Sequence, residues 1–278
     1  MTECVSRWRQ IINIFIFWGA MAVVMVNISG CLAVTTRTSS TGLRPEMITA
    51  SDEPEARRRS RIRLELAANY FESGQAAVAL DEVKQALLTD PLYADAYNLR
   101  GLIYMRLNDY VQAEDSFRRA LELHSNEPEV QHNYAWLLCQ QQKYFEADKI
   151  FRLVLTSSTY TARNKTLMAQ GLCHARAGKK DEAESALAKA YELDAGNPIV
   201  AYNLASLLLQ RGEFTRAQFY IRRLNNSDLA NAESLWLGIK VAQRIGDRVA
   251  MRQLGDQLSK RFSDSREQSW YEQEAFNE

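Results

Sequence analysis

Residues 94–127 read ADAYNLRGLIYMRLNDYVQAEDSFRRALELHSNE, and this stretch decides the fold. Tyr97, Gly101 and Tyr104 fall three or four residues apart, as do Ala113, Phe117 and Ala120 with its neighbour Leu121. Both sets have the spacing of one helix face. Between them stands Asn108, a residue type that tolerates the left-handed backbone of a tight turn. The pattern predicts two short helices folded back on each other.

Working outward, the same unit returns along most of the chain. Second-helix endings recur at Val83…Ala86-Leu87, Phe117…Ala120-Leu121, Phe151…Val154-Leu155 and Leu187…Ala190-Tyr191. Counting back from them places six units beginning near Ser60, Ala94, Pro128, Asn164, Pro198 and Asn231, with spacings of 34, 34, 36, 34 and 33 residues. Small residues stand at the eighth place (Ala67, Gly101, Ala135, Gly171, Ala205, Gly238) and the twentieth (Ala79, Ala113, Ala147, Ala183, Ala217, Ala250). Bulky ones stand at the eleventh in most units (Tyr70, Tyr104, Leu138, Leu208) and at the twenty-fourth (Val83, Phe117, Phe151, Leu187, Ile221, Leu254). Two helices can cross closely where both are small, with the bulky residue filling the gap one turn away. Gly74, Gly178 and Gly212 hold the place of Asn108.

A self-similar period of this length is the mark of a helical repeat array. The units resemble the tetratricopeptide repeat, most fully in the first (Leu66, Ala67, Tyr70, Ala79, Val83, Ala86, Pro91) and second (Tyr97, Gly101, Tyr104, Ala113, Phe117, Ala120). The resemblance implies an all-α, right-handed superhelical solenoid of six repeats with capping helices. Three departures stand out: His174 where an aromatic is usual, Gln142 for the turn glycine, and Gly246 one place late.

A solenoid needs closed ends. Asp52-Glu53-Pro54-Glu55 reads as a capping box with an early proline, which starts the first helix ahead of unit one. Asp264-Ser265-Arg266-Glu267 repeats that pattern, and Trp270, Tyr271 and Phe276 are placed to lid the last unit. The basic run Arg57-Arg58-Arg59-Ser60-Arg61-Ile62-Arg63 has two readings, a solvated helix face or a contact for anionic lipid or an acidic partner.

The first thirty residues read as a processing signal. Arg7 and Arg9 precede the apolar run Ile11 to Val26, which ends in Ile28-Ser29-Gly30-Cys31. This ending resembles the lipobox of bacterial lipoproteins, which implies cleavage before Cys31 and acylation of that residue. Three acyl chains would anchor the chain stably. By resemblance to enterobacterial sorting, Leu32 implies the periplasmic face of the outer membrane. An uncleaved membrane helix is the alternative, because Ile11 to Ile28 just reaches spanning length. The tract Thr35-Thr36-Arg37-Thr38-Ser39-Ser40-Thr41-Gly42 cannot build a core and reads as a flexible tether. The expected organisation is a signal at 1–30, a lipidated linker at 31–51, a solenoid at 52–264 and a capping helix at 265–278.

Chemistry is scarce. Thirty-four basic and thirty-four acidic residues give no net field to attract nucleic acid. There is no nucleophile elbow, zinc-protease motif, paired-cysteine motif or P-loop. The three His and four Cys show no metal-ligand spacing. A non-enzymatic protein with no cofactor, metal or small-molecule substrate is expected. Cys139 and Cys173 fall in first helices of neighbouring units. An oxidising compartment allows a bridge, but burial as free thiols is the commoner use and is the expectation here.

In the tetratricopeptide family, places two, five, nine, twelve and thirteen face a concave groove. Here this gives Leu64, Phe71, Asn98, Leu102, Met105, His132, Trp136, Gln140, Met168, Leu172, Tyr202 and Leu209, followed by Leu235 and Ile239. Trp236 is one place off the set. The mostly apolar and aromatic lining suits an amphipathic helix or a β-edge of a partner. A lipobox followed by six such repeats, with Ser234-Leu235-Trp236-Leu237-Gly238-Ile239 in the last, resembles the PilF/PilW type IV pilus biogenesis lipoproteins. That likeness implies a pilotin, which takes secretin subunits to the outer membrane and helps them form the ring. The alternative is a general envelope adaptor that tethers murein or outer-membrane assembly machinery.

Overall fold

The computed structural model describes residues 52–276. Cys31, the signal segment and the tether lie outside the described residues. Among the described residues there are thirteen helices and no strand. Six antiparallel pairs follow in order: α1 (Glu55–Glu72) with α2 (Ala76–Thr89), α3 (Ala94–Arg106) with α4 (Tyr110–Leu123), α5 (Pro128–Gln140) with α6 (Tyr144–Thr156), α7 (Arg163–Arg176) with α8 (Lys180–Leu193), α9 (Pro198–Gln210) with α10 (Phe214–Asn225) and α11 (Ala232–Ile245) with α12 (Arg248–Arg261). A seven-residue helix, α13 (Arg266–Glu272), closes the end. Each helix packs most extensively within its own pair and then on the pair that follows, which is the architecture of a solenoid.

The small residues do what their spacing implies. Ala67, Ala79, Ala113, Ala135, Ala147, Ala183, Ala205 and Ala217 are wholly buried. In the second and fourth pairs, where the eighth place is glycine, the bulky twenty-fourth residue occupies the missing Cβ. A Cβ on Gly101 would enter the ring of Phe117, and one on Gly171 would meet Leu187. In these two pairs the contact is therefore backbone against side chain.

The turn place is left-handed in every pair: Gly74, Asn108, Gln142, Gly178, Gly212 and Gly246 all have φ between 60° and 84°. Gln142 takes φ 63° in spite of its side chain, so the turn geometry overrides local preference. In the last pair the left-handed Gly246 is itself the cap of α11, whereas in the other pairs the left-handed residue follows the cap.

Both capping expectations need correction. α1 begins at Glu55 behind Pro54, with no side-chain cap. Glu53 instead accepts two hydrogen bonds from Arg61, at 3.2 and 3.1 Å. The opening extension is thus a first turn continuous with α1. At the other end Ser265, not Asp264, is the cap, accepting from the Gln268 backbone at 3.1 Å. The aromatic lid is present: Trp236 lies 6.0 Å from Trp270 and stacks 5.7 Å from Phe276.

The basic run is occupied by the protein's own acids. Arg57 pairs with Asp90 and lies 4.5 Å over Tyr93. Arg61 pairs with Glu53 and Glu65, Arg63 pairs with Glu82, and Arg58 and Arg59 approach Glu55. This is a solvated face laced with ion pairs.

Cys139 and Cys173 are bonded to each other, Cα to Cα 5.8 Å. The expectation of two free thiols is overturned. Successive first helices approach closely enough here for the two sulfurs to meet.

Candidate protein-binding groove

The first helices of successive pairs touch one another: α1 with α3, α3 with α5, α5 with α7, and α9 with α11. Among the described residues no two successive second helices pack to that extent. First helices therefore sit on the inner side of the curve, and their outward faces form its lining.

Eleven of the predicted lining residues are half-buried there: Leu64 and Phe71 on α1, Asn98, Leu102 and Met105 on α3, Trp136 and Gln140 on α5, Met168 and Leu172 on α7, and Tyr202 and Leu209 on α9. The apolar ones each lean on a buried cluster while keeping part of the side chain open. The polar ones bridge repeats. Asn133 Nδ2 donates to Asn98 Oδ1 at 3.0 Å, and Arg176 Nη1 donates to Gln140 Oε1 at 2.7 Å. The same Arg176 guanidinium lies 4.9 Å over the Trp136 ring. Trp136, Gln140 and Arg176 thus make one patch, fixed in place and carrying aromatic, amide and cationic character.

His132 does not belong to the lining. It is only 4% exposed, and its Nδ1 lies 2.8 Å from Thr166 Oγ1, which also lies 2.9 Å from the Tyr160 hydroxyl. Burial, with help from Lys165, pushes its pKa down to about 4, so the ring is neutral near pH 7. The long link between the third and fourth pairs carries Tyr160, and its return over His132 closes the site. Leu235 and Ile239 are also withdrawn, both wholly buried among Trp236, Leu258 and the α13 lid. Trp236 turns inward with them. The groove therefore ends in a cleft of about 310 Å³ between Tyr202, Leu209, Trp236 and Trp270, rimmed by Glu233, Lys240 and Arg266.

One feature escaped the sequence reading although it recurs at the repeat period. Glu114, Asp148 and Glu184 occupy the same place in three consecutive second helices, and their side chains are only 16–18% exposed. Glu114 accepts from Gln141 at 3.2 Å and from Lys143 at 3.1 Å. Asp148 accepts from Gln170 at 2.7 Å and lies 3.1 Å from His174 Nε2. Glu184 pairs with Arg211 and Arg216. Burial pushes the Asp148 carboxyl up, but Gln170, Arg152 and His174 outweigh it and hold the carboxyl below its ordinary range. These carboxylates fasten each repeat to the next. His174, the departure from the aromatic pattern, is the partner of one of them.

Among the described residues no group of three His, Cys, Asp or Glu side chains is placed to hold a metal ion. The geometry is that of a surface that binds another chain, made of a rigid curved stack with half-open apolar and aromatic side chains.

Family models for the tetratricopeptide repeat match residues 94–127 and residues 174–236. The fold is a solenoid of tetratricopeptide repeats. It is homologous to the type IV pilus assembly protein PilF of Pseudomonas aeruginosa, with 27% identity over 211 residues that cover 76% of this chain and 84% of PilF. Its structure is similar to that of PilW, described as a widely conserved type IV pilus biogenesis factor, with a TM-score of 0.70 and 27% identity over 76% of this chain and 96% of PilW. A PilF structure from Pseudomonas aeruginosa matches with a TM-score of 0.69 and 26% identity, over 80% of this chain and all of that one.

Proposed function

We propose that this protein serves type IV pilus biogenesis as a pilotin, a non-enzymatic factor that takes secretin subunits to the outer membrane and promotes their assembly into the ring. One observation carries the reading: the match spans 96% of the PilW structure and all of the PilF structure, over 76% and 80% of this chain. In this reading acyl chains on Cys31 supply the address and hold the solenoid at the periplasmic face of the outer membrane. The Cys139–Cys173 bridge supports that placement, since such bonds persist in oxidising compartments.

The half-open residues Leu64, Phe71, Leu102, Met105 and Trp136 would cover an apolar secretin segment until the ring closes and buries it elsewhere. Binding of this kind shields surface that would otherwise aggregate. Asn98, Gln140 and Arg176 would set its register by hydrogen bonds.

The test is an immunoblot for the denaturant-resistant secretin multimer in four strains: wild type, gene deletion, Cys31→Ala and Trp136→Ala. Loss of the multimer on deletion, its stranding in the inner membrane with Cys31→Ala, and its reduction several-fold with Trp136→Ala are the expected results. An unchanged multimer in the deletion strain overturns the proposal.

A further inference from the structure

Arg176 stands at the end of α7, and two neighbours fix its exposed guanidinium. The group lies 4.9 Å over the Trp136 ring, and its Nη1 donates to Gln140 Oε1 at 2.7 Å. The Cys139–Cys173 bond ties α5 to α7 beside this patch. A long side chain that would otherwise lose much rotamer freedom on binding is thus placed in advance. Its charge, however, is unanswered. Arg57, Arg61 and Arg63 each pair with an acid, whereas among the described residues no acid lies within ion-pair distance of Arg176.

The surroundings have the same sign. Arg106 holds the place of Arg176 two repeats earlier, and Lys179 and Lys180 follow at the start of α8. All three are exposed, and among the described residues none has an acid partner. The acids close by in sequence are engaged elsewhere. Asp109 caps α4 through the Gln112 backbone, Asp181 pairs with Arg211, and Glu182 lines a separate cleft with His174. On the opposite rim Glu129 and Lys165 neutralise each other. We propose that Arg176 determines the specificity of the groove, which takes an apolar peptide segment bearing a side-chain carboxylate. The inference rests on the groove as the binding surface, not on the secretin as its occupant.

The chemistry selects that ligand. A guanidinium presents its N–H donors as a rigid planar fork. With Nη1 engaged by Gln140, Nε and Nη2 have no acceptor among the described residues. These two nitrogens share one edge of the plane, and their donors match the two oxygens of a carboxylate. Trp136 covers a face of the group but not that edge. Leu172, one turn earlier on α7, and the open part of Trp136 take the adjoining apolar side chain. A free anion gains the fork without the apolar contact. An uncharged segment laid over Arg176 strips water from a charge and gives nothing back, which penalises it. Only a segment with both features satisfies both halves of the patch.

The test is fluorescence anisotropy with the full chain in nanodiscs and two sets of labelled peptides. One set tiles the secretin of the same genome, and the other is selected on the protein from a random library. Peptides that bind are expected to carry Asp or Glu beside a bulky apolar residue. Arg176→Gln should weaken them about tenfold or more, with its melting temperature unchanged because the side chain is exposed. Replacing the peptide's acid by its amide should cost the same factor against the wild type and nothing further against Arg176→Gln. Arg176→Lys should recover part of the loss, since an ammonium keeps the charge without the fork. If secretin peptides bind Arg176→Gln as tightly as the wild type, the inference is overturned and the secretin reading stands. If only library peptides bind, with the coupling to Arg176 intact, the inference stands and the secretin reading falls. Binding by neither set overturns both.

Discussion

Cys139 on α5 and Cys173 on α7 join two consecutive repeats by a disulfide that spans 34 residues of chain. In a solenoid each repeat touches only its neighbours, so stability is a sum of local interfaces. A covalent tie at one of those interfaces strengthens the middle of the stack above its ends. Closing a loop of this length is worth about 3–4 kcal/mol in the chain-entropy account.

Reduction should therefore lower the urea midpoint of the intact protein. The Cys139→Ala/Cys173→Ala variant should show the lowered midpoint without reductant and no further change with it. Equal midpoints for oxidised and reduced wild-type protein would sink the argument.

Gly101→Ala puts a methyl where the Phe117 ring now lies. Overpacking of this kind costs about 1–3 kcal/mol, measured as a loss in chemical denaturation. Phe117→Leu alone should also destabilise. Combined with Gly101→Ala it should cost clearly less than the two single losses added together. Strict additivity would mean the two side chains do not share that space.

Gln142 holds a left-handed backbone at φ 63°. Such a conformation costs an ordinary residue about 1–2 kcal/mol, partly offset by the greater chain entropy that glycine loses on folding. Gln142→Gly should raise stability by about 0.5–1 kcal/mol. A lower melting temperature for this variant would refute the reading of the turn.

His132 gives stability a pH dependence. Its folded pKa, about 4, lies below the unfolded value near 6.5. The unfolded chain thus binds the extra proton first, and stability is full above pH 6.5 and lost as pH falls toward 4. The loss is about 3 kcal/mol across that window. Asp148, held low, adds a loss in more acid solution, as pH falls from the unfolded carboxylate value through its own. Urea midpoints at pH 7.5 and pH 5 should differ in the wild type and differ clearly less in His132→Gln, the remainder belonging to His174, whose pKa burial also lowers. An equal slope in both proteins would remove His132 from the account.

Much of the groove was legible because it follows from a helical period. Leu64, Phe71, Asn98, Leu102, Met105, Trp136 and Leu209 repeat at fixed places, and a fixed place on a regular helix faces a fixed direction. The exceptions arise where the chain leaves the period. The link before α7 is longer than those before α3, α5 and α9, and the Tyr160 it carries bonds to Thr166 beside His132, which removes that histidine from the surface. At the far end the seventh-pair neighbour is missing and α13 takes its place, so Leu235, Trp236 and Ile239 are roofed over.

The sequence by itself determined the helical pairs, their number, the close crossing at Ala and Gly, and the left-handed turns. All of these depend on residues within one unit, where contact follows from short-range spacing and steric size. Only the tertiary structure decided the disulfide and the carboxylate fastenings of Glu114, Asp148 and Glu184. Those depend on the angle and distance at which one repeat settles on the next. That geometry is the joint result of packing across the whole interface, and no single unit's pattern contains it.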